Sequence, residues 1–488
     1  MTAEGWRAAR PRRPRHDCLM CHLPARATGT TELNRTMSHA TAEATTMTDT
    51  VTHHDLANAI RFLAIDAVEQ ANSGHPGMPM GMADVATVLF TKFLKYDAAE
   101  PTWPDRDRFI LSAGHGSMLQ YALLHLTGYK AFPIEALKNF RQIGSITAGH
   151  PEVEQHAGIE TTTGPLGQGI STAVGFALAE RIMNANYGDD LVDHHTYVIA
   201  SDGDLMEGIS HEACSIAGHL GLSKLIVLFD DNGISIDGPT SLSFSDDVTL
   251  RFKSYNWDVQ EIDGHDPAAI EAAIAQAKTT DTPSIIRCKT QIGFGAPNKV
   301  NTAGVHGAPL GADEIAGTRA ALGWAHDPFV VPDAIKAVWE QAGSRGAEAR
   351  DAWNGRHASH AQKPAFDAAL SGYMTADLAE AIKKVKKTAS EEQPKLATRA
   401  ASGKVLDAIM PVVPTLVGGS ADLTGSNNTK TGTGGILSRD NYAGRYIHYG
   451  IREHGMAAVM NGMALHGGVV PYSGTFLAFA DYNRPALR

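Results

Sequence analysis

Apolar residues recur at helical spacing from Leu56 onward. Leu56, Ala59, Ile60, Leu63 and Ala67 share one face with charges between them, and Asn72-Ser73-Gly74 supplies a stop. From there to about residue 300, helical and strand-like runs alternate, with the clearest strands at 196–200, 224–229 and 283–289. Such alternation predicts an α/β fold built on mostly parallel sheets with helices on both faces. Residues 340–395 are rich in Ala, Lys and Glu. They read as helical, as over 376–387, with a turn or linker at Ser390-Glu391-Glu392-Gln393-Pro394. A second alternating block follows: a helix over 397–409, strands over 414–418 and 445–449, a helix through Leu465, a strand over 469–472, and a helix start at Asn483-Arg484-Pro485. That block holds about three strands, few for an open parallel sheet.

The chain has 488 residues, room for roughly three domains of about 150 residues. Hydrophobic residues at 43% against 19% charged exclude wholesale disorder. A net charge of −11 argues against nucleic acid as a partner. The charge is uneven. Residues 1–35 carry seven Arg and three acids, a net of +4, which leaves −15 on the remainder. This stretch reads as a transit peptide or as an over-extended start, with Met37 or Met47 as the alternative first residue. The second reading is preferred, so residues 1–47 are expected to be a tail outside the fold. No apolar segment follows the arginines, which argues against a secretory signal.

Four cysteines make no disulfide framework. Cys18 and Cys21, followed by His22, lack the second pair of ligands that a zinc site needs. Cys214 and Cys288 sit in apolar runs and read as core residues in a reducing, cytoplasmic compartment. No run of 18 apolar residues occurs, and His466, Pro471 and several Gly interrupt the nearest approach, so no membrane span is expected.

Ser201-Asp202-Gly203-Asp204 follows one predicted strand, and Asp230-Asp231-Asn232 ends the next, with a helix over 207–220 between them. In a right-handed βαβ unit this places Asp202 and Asn232 at the carboxyl edge of the sheet, where open α/β sheets bind ligands. A carboxylate, an amide oxygen and a nearby main-chain carbonyl suit Mg²⁺ or Ca²⁺. Helix capping by Asp202 and a turn at Asn232 explain the same residues equally well. His75, His115, His150 and His306 each lie among Gly or Pro. One such histidine is more often structural, but four in loop settings point to a ligand such as phosphate. The loop 161–169 opens an apolar helix, a favourable place for an anion, yet it is neither a Walker loop nor a dinucleotide fingerprint.

Several longer motifs converge on one family. Thr162-Thr163-Gly164-Pro165-Leu166-Gly167-Gln168-Gly169, Ser73-Gly74-His75-Pro76-Gly77, Asp202-Gly203 and Glu207-Gly208 resemble transketolase. So do Gly418-Gly419-Ser420-Ala421-Asp422-Leu423-Thr424, Tyr449-Gly450-Ile451-Arg452-Glu453-His454 and Gly474-Thr475-Phe476. The likeness runs over about residues 50–488 and matches the front two-thirds of a typical member. It implies a thiamin diphosphate-binding fold with a diphosphate-binding domain over 48–365 and an incomplete pyrimidine-binding domain over 366–488. It also implies a homodimer with a site shared between subunits.

By the same resemblance, Asp202, Asn232 and the main-chain oxygen of Ile234 would hold the divalent cation, Mg²⁺ or else Ca²⁺ or Mn²⁺. Gly203 and Gly164 would let the cofactor approach, His115 and His306 would contact it, and Leu166 would prop it from below. Glu207 and Glu212 would link the two sites of the dimer. Glu453 would be the carboxyl group beside the aminopyrimidine, held away from water by Ile451 and the apolar helix that follows. Read on its own, Glu453 is an exposed helix-start carboxylate. Phe476, Phe479 and Tyr482 would wall the pyrimidine, though their spacing also fits one face of a core helix. His75, His150 and His306 would act on the substrate side, with Arg399 and Ser426 donating to its phosphate. An ion pair on a helix surface is the plainer reading of Arg399.

The implied reaction moves a two-carbon ketol unit from a ketose phosphate, such as xylulose 5-phosphate, to an aldose phosphate of the pentose phosphate pathway. Two alternatives stand beside it: a dihydroxyacetone synthase-like enzyme, which formaldehyde as acceptor would reveal, and a cofactor-binding or dimerising fragment without activity.

Overall fold

A computed structural model describes residues 51–372 and 376–488. The reading of residues 1–47 as a tail, and of Cys18, Cys21 and His22, lies outside the described residues.

The first sheet is assembled from β1 (Arg108–Leu111), β2 (Thr196–Ser201), β3 (Leu225–Asp231), β6 (Asp258–Asp263) and β7 (Ser284–Lys289), in the order β1-β2-β3-β7-β6. All its pairings are parallel. A hairpin of β4 (Ile234–Ser235) and β5 (Gly238–Pro239) follows β3. The central strands β2 and β3 are near-continuous apolar runs because both of their faces are covered. Their period of two sorts them into two cores. Tyr197, Ile199, Ile226 and Leu228 enter one cluster, and Val198, Ala200, Val227 and Phe229 the other. β1 and β6 were not among the strands singled out from sequence. The first is only four residues long, and the second, at the sheet edge, is mostly polar and partly exposed.

The helix His53–Ala71 begins at a capping box. Thr52 Oγ1 accepts from the Asp55 amide at 3.2 Å, and the Thr52 amide donates to Asp55 Oδ2 at 2.9 Å. The helix Ala376–Glu392 runs through the expected linker. Ser390, Glu391 and Glu392 continue it, and it ends only where Gln393 turns left-handed (φ 42°) before Pro394.

The second sheet has three parallel strands, β8 (Leu416–Ser420), β9 (Tyr446–His448) and β10 (Val470–Pro471), ordered β10-β8-β9. The last helix is Ala480–Leu487. It starts ahead of the Asn483-Arg484-Pro485 signal, directly from the turn Leu477–Phe479, and carries Pro485 inside it.

Helices Gln168–Tyr187 and Glu453–His466 bring the two blocks together. They cross glycine on glycine: a Cβ on Gly462 would stand 1.9 Å from the Thr172 carbonyl, and one on Gly175 2.0 Å from that of Val459. Only hydrogen side chains permit that approach. Residues 51–488 form one compact unit.

Candidate functional site

The carboxyl ends of β1, β2 and β3 lie side by side, and each gives way to a polar loop. Beyond β1 come Ser112 to His115, beyond β2 Asp202 to Asp204, and beyond β3 Asn232. Asp202 opens the short helix Asp202–Met206 and accepts from the Gly233 amide at 3.3 Å, which joins two of the sequence-predicted ligands' loops. Asn232 Oδ1 accepts from the Ile234 amide at 2.9 Å, while its Nδ2 donates to Asp230 at 2.8 Å. Burial, then Asp230 and Asp231 nearby, push the Asp202 carboxyl up to about 7. Asp231 is paired with Arg287 at 2.8 Å and Lys289 at 2.6 Å, whereas Asp202 and Asp230 form no ion pair among the described residues. Crowded carboxylates without a cation of their own are the electrostatics that a divalent ion relieves, and the available donors are hard oxygens. The donor set therefore fits such an ion.

The four histidines converge. The His75 ring centroid lies 5.2 Å from His115, 5.8 Å from His306 and 6.4 Å from His150, and His115 stacks on His306 at 5.2 Å. Burial and the neighbouring rings hold His75 down to about 4 and His115 to about 3, and burial lowers His150 and His306 too. The cluster therefore consists of neutral rings at pH 7. Three polar atoms at or beside the cluster, His306 Nδ1, Thr163 Oγ1 and Arg141 Nε, are buried without a hydrogen-bond partner. Buried polar atoms are normally paired, so they mark a place for a polar ligand.

The loop 161–169 closes the site. Gly164 adopts φ +140°, and a Cβ there would press on the His150 ring at 3.1 Å. Gly203 leaves room for Leu166, whose Cδ1 would lie 2.7 Å from a Cβ at that position. Asp204, buried completely, ties these loops together. It accepts from Ser112 Oγ at 2.7 Å, the Gly167 amide at 2.8 Å, and the Ser201 amide and Oγ at 2.9 Å each.

Glu453 lies in the other block, at the start of helix Glu453–His466. It is 8% exposed and accepts from Thr475 Oγ1 at 3.0 Å. Its burial departs from the plain reading of an exposed helix-start carboxylate. Ile451 does not contribute to that burial, because it is 80% exposed. The next turn of the helix is tied to the first block instead, since the Gly455 amide donates to Glu212 Oε2 at 2.7 Å. Burial and Glu453 raise the Glu212 carboxyl above its ordinary value. Glu207 is exposed.

Phe476, Phe479 and Tyr482 form a ladder of rings with centroids 5.9 and 6.2 Å apart. They are 42%, 37% and 66% exposed, so they are not the face of a core helix. Arg399, in the first turn of Thr398–Ile409, and Ser426, in Thr424–Asn427, are both exposed. Within this chain, no hydrogen bond, ion pair or ring contact among the described residues joins Glu453, the aromatic ladder, Arg399 or Ser426 to Asp202 or the histidine cluster.

Side chains without an assigned role from sequence also belong here. Asp204 was visible only as part of the Asp202-Gly203-Asp204 string. Thr163 stood in the 162–169 motif without a role of its own. Gln168 Nε2 donates to His454 Nε2 at 3.0 Å and bridges the blocks. Arg141, in an unremarkable loop, reaches Ser73 and His75. Nothing local in the sequence signals these contacts, which arise only when loops from separate strands meet.

An edge of this kind on a doubly covered parallel sheet, followed by a second small parallel α/β unit, defines a thiamine diphosphate-binding protein by its family matches. Residues 52–378 match the family model for the transketolase thiamine diphosphate binding domain, and residues 394–488 that for the transketolase pyrimidine binding domain. The chain belongs to the transketolase family. It is 58% identical over 433 residues to a transketolase of Cereibacter sphaeroides, covering 89% of this chain and 66% of that one. Against a transketolase of Rhodobacter capsulatus it is 57% identical over 438 residues, covering 89% and 65%. Transketolase from Leishmania mexicana superposes with a TM-score of 0.83 at 43% identity, over 90% of this chain and 66% of that one. The chain thus spans about two thirds of the length of the relatives it matches. Among the described residues no helix is long and apolar enough to cross a membrane.

Proposed function

We propose that this chain binds thiamine diphosphate through a divalent cation, and that the whole protein transfers a two-carbon ketol unit from a ketose phosphate, such as xylulose 5-phosphate, to an aldose phosphate. The observation that carries this is the meeting, at one sheet edge, of the Asp202–Asn232 oxygen set with four neutral histidines and three orphaned polar atoms. Bound there, the cofactor supplies a nucleophilic carbon and an electron sink for breaking a carbon–carbon bond next to a carbonyl. Asp202, Asn232 and the Ile234 carbonyl hold the cation, Mg²⁺ or else Ca²⁺ or Mn²⁺. Gly164 and Gly203 keep the floor of the site free of side chains, Leu166 stands against it, and His115 and His306 donate to the anionic end. His75 and His150 line the substrate side, while Arg399 and Ser426 take the sugar phosphate.

Glu453, whose Oε1 accepts from Thr475, would hold a proton at the cofactor's ring nitrogen. Phe476, Phe479 and Tyr482 cover the ring. These groups serve the site of a second copy. Support comes from the exposure of the aromatic ladder and from its lack of contact with the chain's own metal edge. The working assembly is a cytoplasmic homodimer, with the diphosphate-binding domain over 48–365 and the pyrimidine-binding domain over 366–488. The test is calorimetric titration of the chain with thiamine diphosphate, with and without Mg²⁺, followed by assay of ketol transfer in the natural protein. Saturable, chelator-sensitive binding is expected, and its absence refutes the reading.

A further inference from the structure

We propose that Arg141 is a positioning residue that fixes His75 as a neutral ring with its proton on Nε2, so that His75 meets its ligand as an N–H donor to a hydroxyl or carbonyl oxygen. The proposal deepens the reading above and rests on it for the nature of the ligand. The state of the ring rests on the geometry of this chain alone.

The argument is one of donor counting. A guanidinium carries five N–H donors and no acceptor. Arg141 Nη2 lies 3.4 Å from His75 Nδ1, and Nη1 donates to Ser73 Oγ at 2.8 Å, so the fork grips both sides of Gly74. His75 Nδ1 must therefore present its lone pair. A neutral imidazole has a single N–H, which leaves it on Nε2. That edge lies beside Gly307, where a Cβ would crowd Nε2 at 3.2 Å. The ring's hydrogen bond among the described residues is the one through Nδ1, so the Nε2 proton is left for a ligand.

The fork is itself held in place. Arg141 sits at φ 61°, its amide donates to the Thr147 carbonyl at 2.9 Å, and its guanidinium lies 5.5 Å from the Phe140 ring. Non-glycine residues adopt such a backbone only where the surroundings enforce it. Charge works in the same direction as geometry. The groups around His75 are Arg141 from this loop and the rings of His115, His150 and His306, with Glu152 beyond His150. Burial first, then His306, Arg141 and His150, disfavour the imidazolium and bring His75 to about 4. A ring that stays neutral at pH 7 cannot serve as a general acid, which needs a proton it can release near working pH. It can serve as a fixed donor.

The test uses the full chain labelled with ¹⁵N and ¹³C at histidine, with the His75 signals assigned by their loss in His75→Gln. In the unaltered chain, nitrogen shifts should show Nδ1 unprotonated and no titration of this ring between pH 8 and 5. In Arg141→Met the ring should titrate higher by roughly one unit and lose its single tautomer. Arg141→Gln offers a neutral donor, so it should keep the tautomer while the pKa rises. A proton on Nδ1, or titration near pH 6.5, in the unaltered chain overturns the proposal. So does unchanged behaviour of His75 in a folded Arg141→Met. If Arg141→Met fails to fold, the unaltered chain and Arg141→Gln decide. None of these readouts requires turnover, so failure of ketol transfer and failure of this proposal are separate results.

Discussion

The sheet edge that carries Asp202 and the end of the chain that carries Glu453 are finished to different degrees. At the first, loops from separate strands are locked together within one chain. Asp204 binds three of them, four imidazoles touch, and the orphaned donors are few and buried. At the second, one carboxylate is buried while three aromatic rings at the start of the last helix are partly exposed, beside a three-stranded sheet. Preorganised polar groups cost little further ordering when a ligand arrives, whereas an exposed ladder of rings gains most when another surface covers it. The first region is thus ready for an ionic ligand, and the second is ready for a surface. On the reading proposed above, that difference is what a site divided between two copies of the chain requires.

The sharpest way to break this contrast is to remove Asp202, the only charged group among the proposed cation ligands. Asp202→Ala should abolish Mg²⁺-dependent affinity for thiamine diphosphate. Loss of groups that merely support metal ligands costs about 10–100-fold, and loss of a ligand itself should exceed that. Calorimetry that finds unchanged affinity removes Asp202 from the metal site.

The second region should respond in rate rather than in binding. Glu453→Gln in the natural protein keeps a group able to touch the ring nitrogen but cannot hold the proton there. Cofactor affinity should persist while turnover falls by about 10²–10⁴-fold. Exchange of the cofactor's reactive ring proton, followed by NMR, should slow in parallel, and exchange as fast as in the parent protein excludes the role.

Combining the two variants tests the division itself. Asp202→Ala and Glu453→Ala chains of the natural protein, each inactive alone, form mixed dimers that keep one intact site. Random exchange makes half the dimers mixed, so activity should recover to about a quarter of the parent level. No recovery after exchange is demonstrated by mass spectrometry would place each whole site within one chain.

The two regions also differ in how far the sequence foretold them. β2 and β3 were legible because buried parallel strands are near-continuous apolar runs, β7 because of its Ile285-Ile286 pair after Pro283, and Asp202 and Asn232 followed from the ends of the first two. β6 was not, because an edge strand such as Asp258–Asp263 mixes polar and apolar residues as a loop does. The histidines stood out by their Gly and Pro neighbours, but that they touch one another depends on loops far apart in the chain. Arg141 and Asp204 were illegible for the same reason, since each acquires its meaning from partners supplied by other strands. In the second block the motif around Glu453 was plain. The exposure of Ile451 and of the aromatic ladder was not, because an apolar residue in sequence carries no label saying whether its own chain or another surface will cover it.

The smallest expected effect concerns how the first region tolerates acid. His75 and His115 are held near 4 and 3 in the folded chain, whereas an unfolded histidine titrates near 6.5. Above pH 6.5 both states leave these rings neutral, and the full stability is present. As pH falls from 6.5 toward 4, the unfolded chain takes up protons that the folded one refuses, so stability declines. The thermal midpoint should therefore drop by a few degrees between pH 7 and pH 5. His115→Gln, which removes one of these rings, should flatten that slope whatever it does to the midpoint at pH 7. The corresponding change in the second block, Phe479→Leu, should lower or keep the midpoint without altering its pH dependence, since it exchanges one side chain without an ionisable group for another. Equal slopes for the parent chain and His115→Gln, measured by calorimetry in low-salt buffers, would mean that the cluster is open enough to protonate while folded.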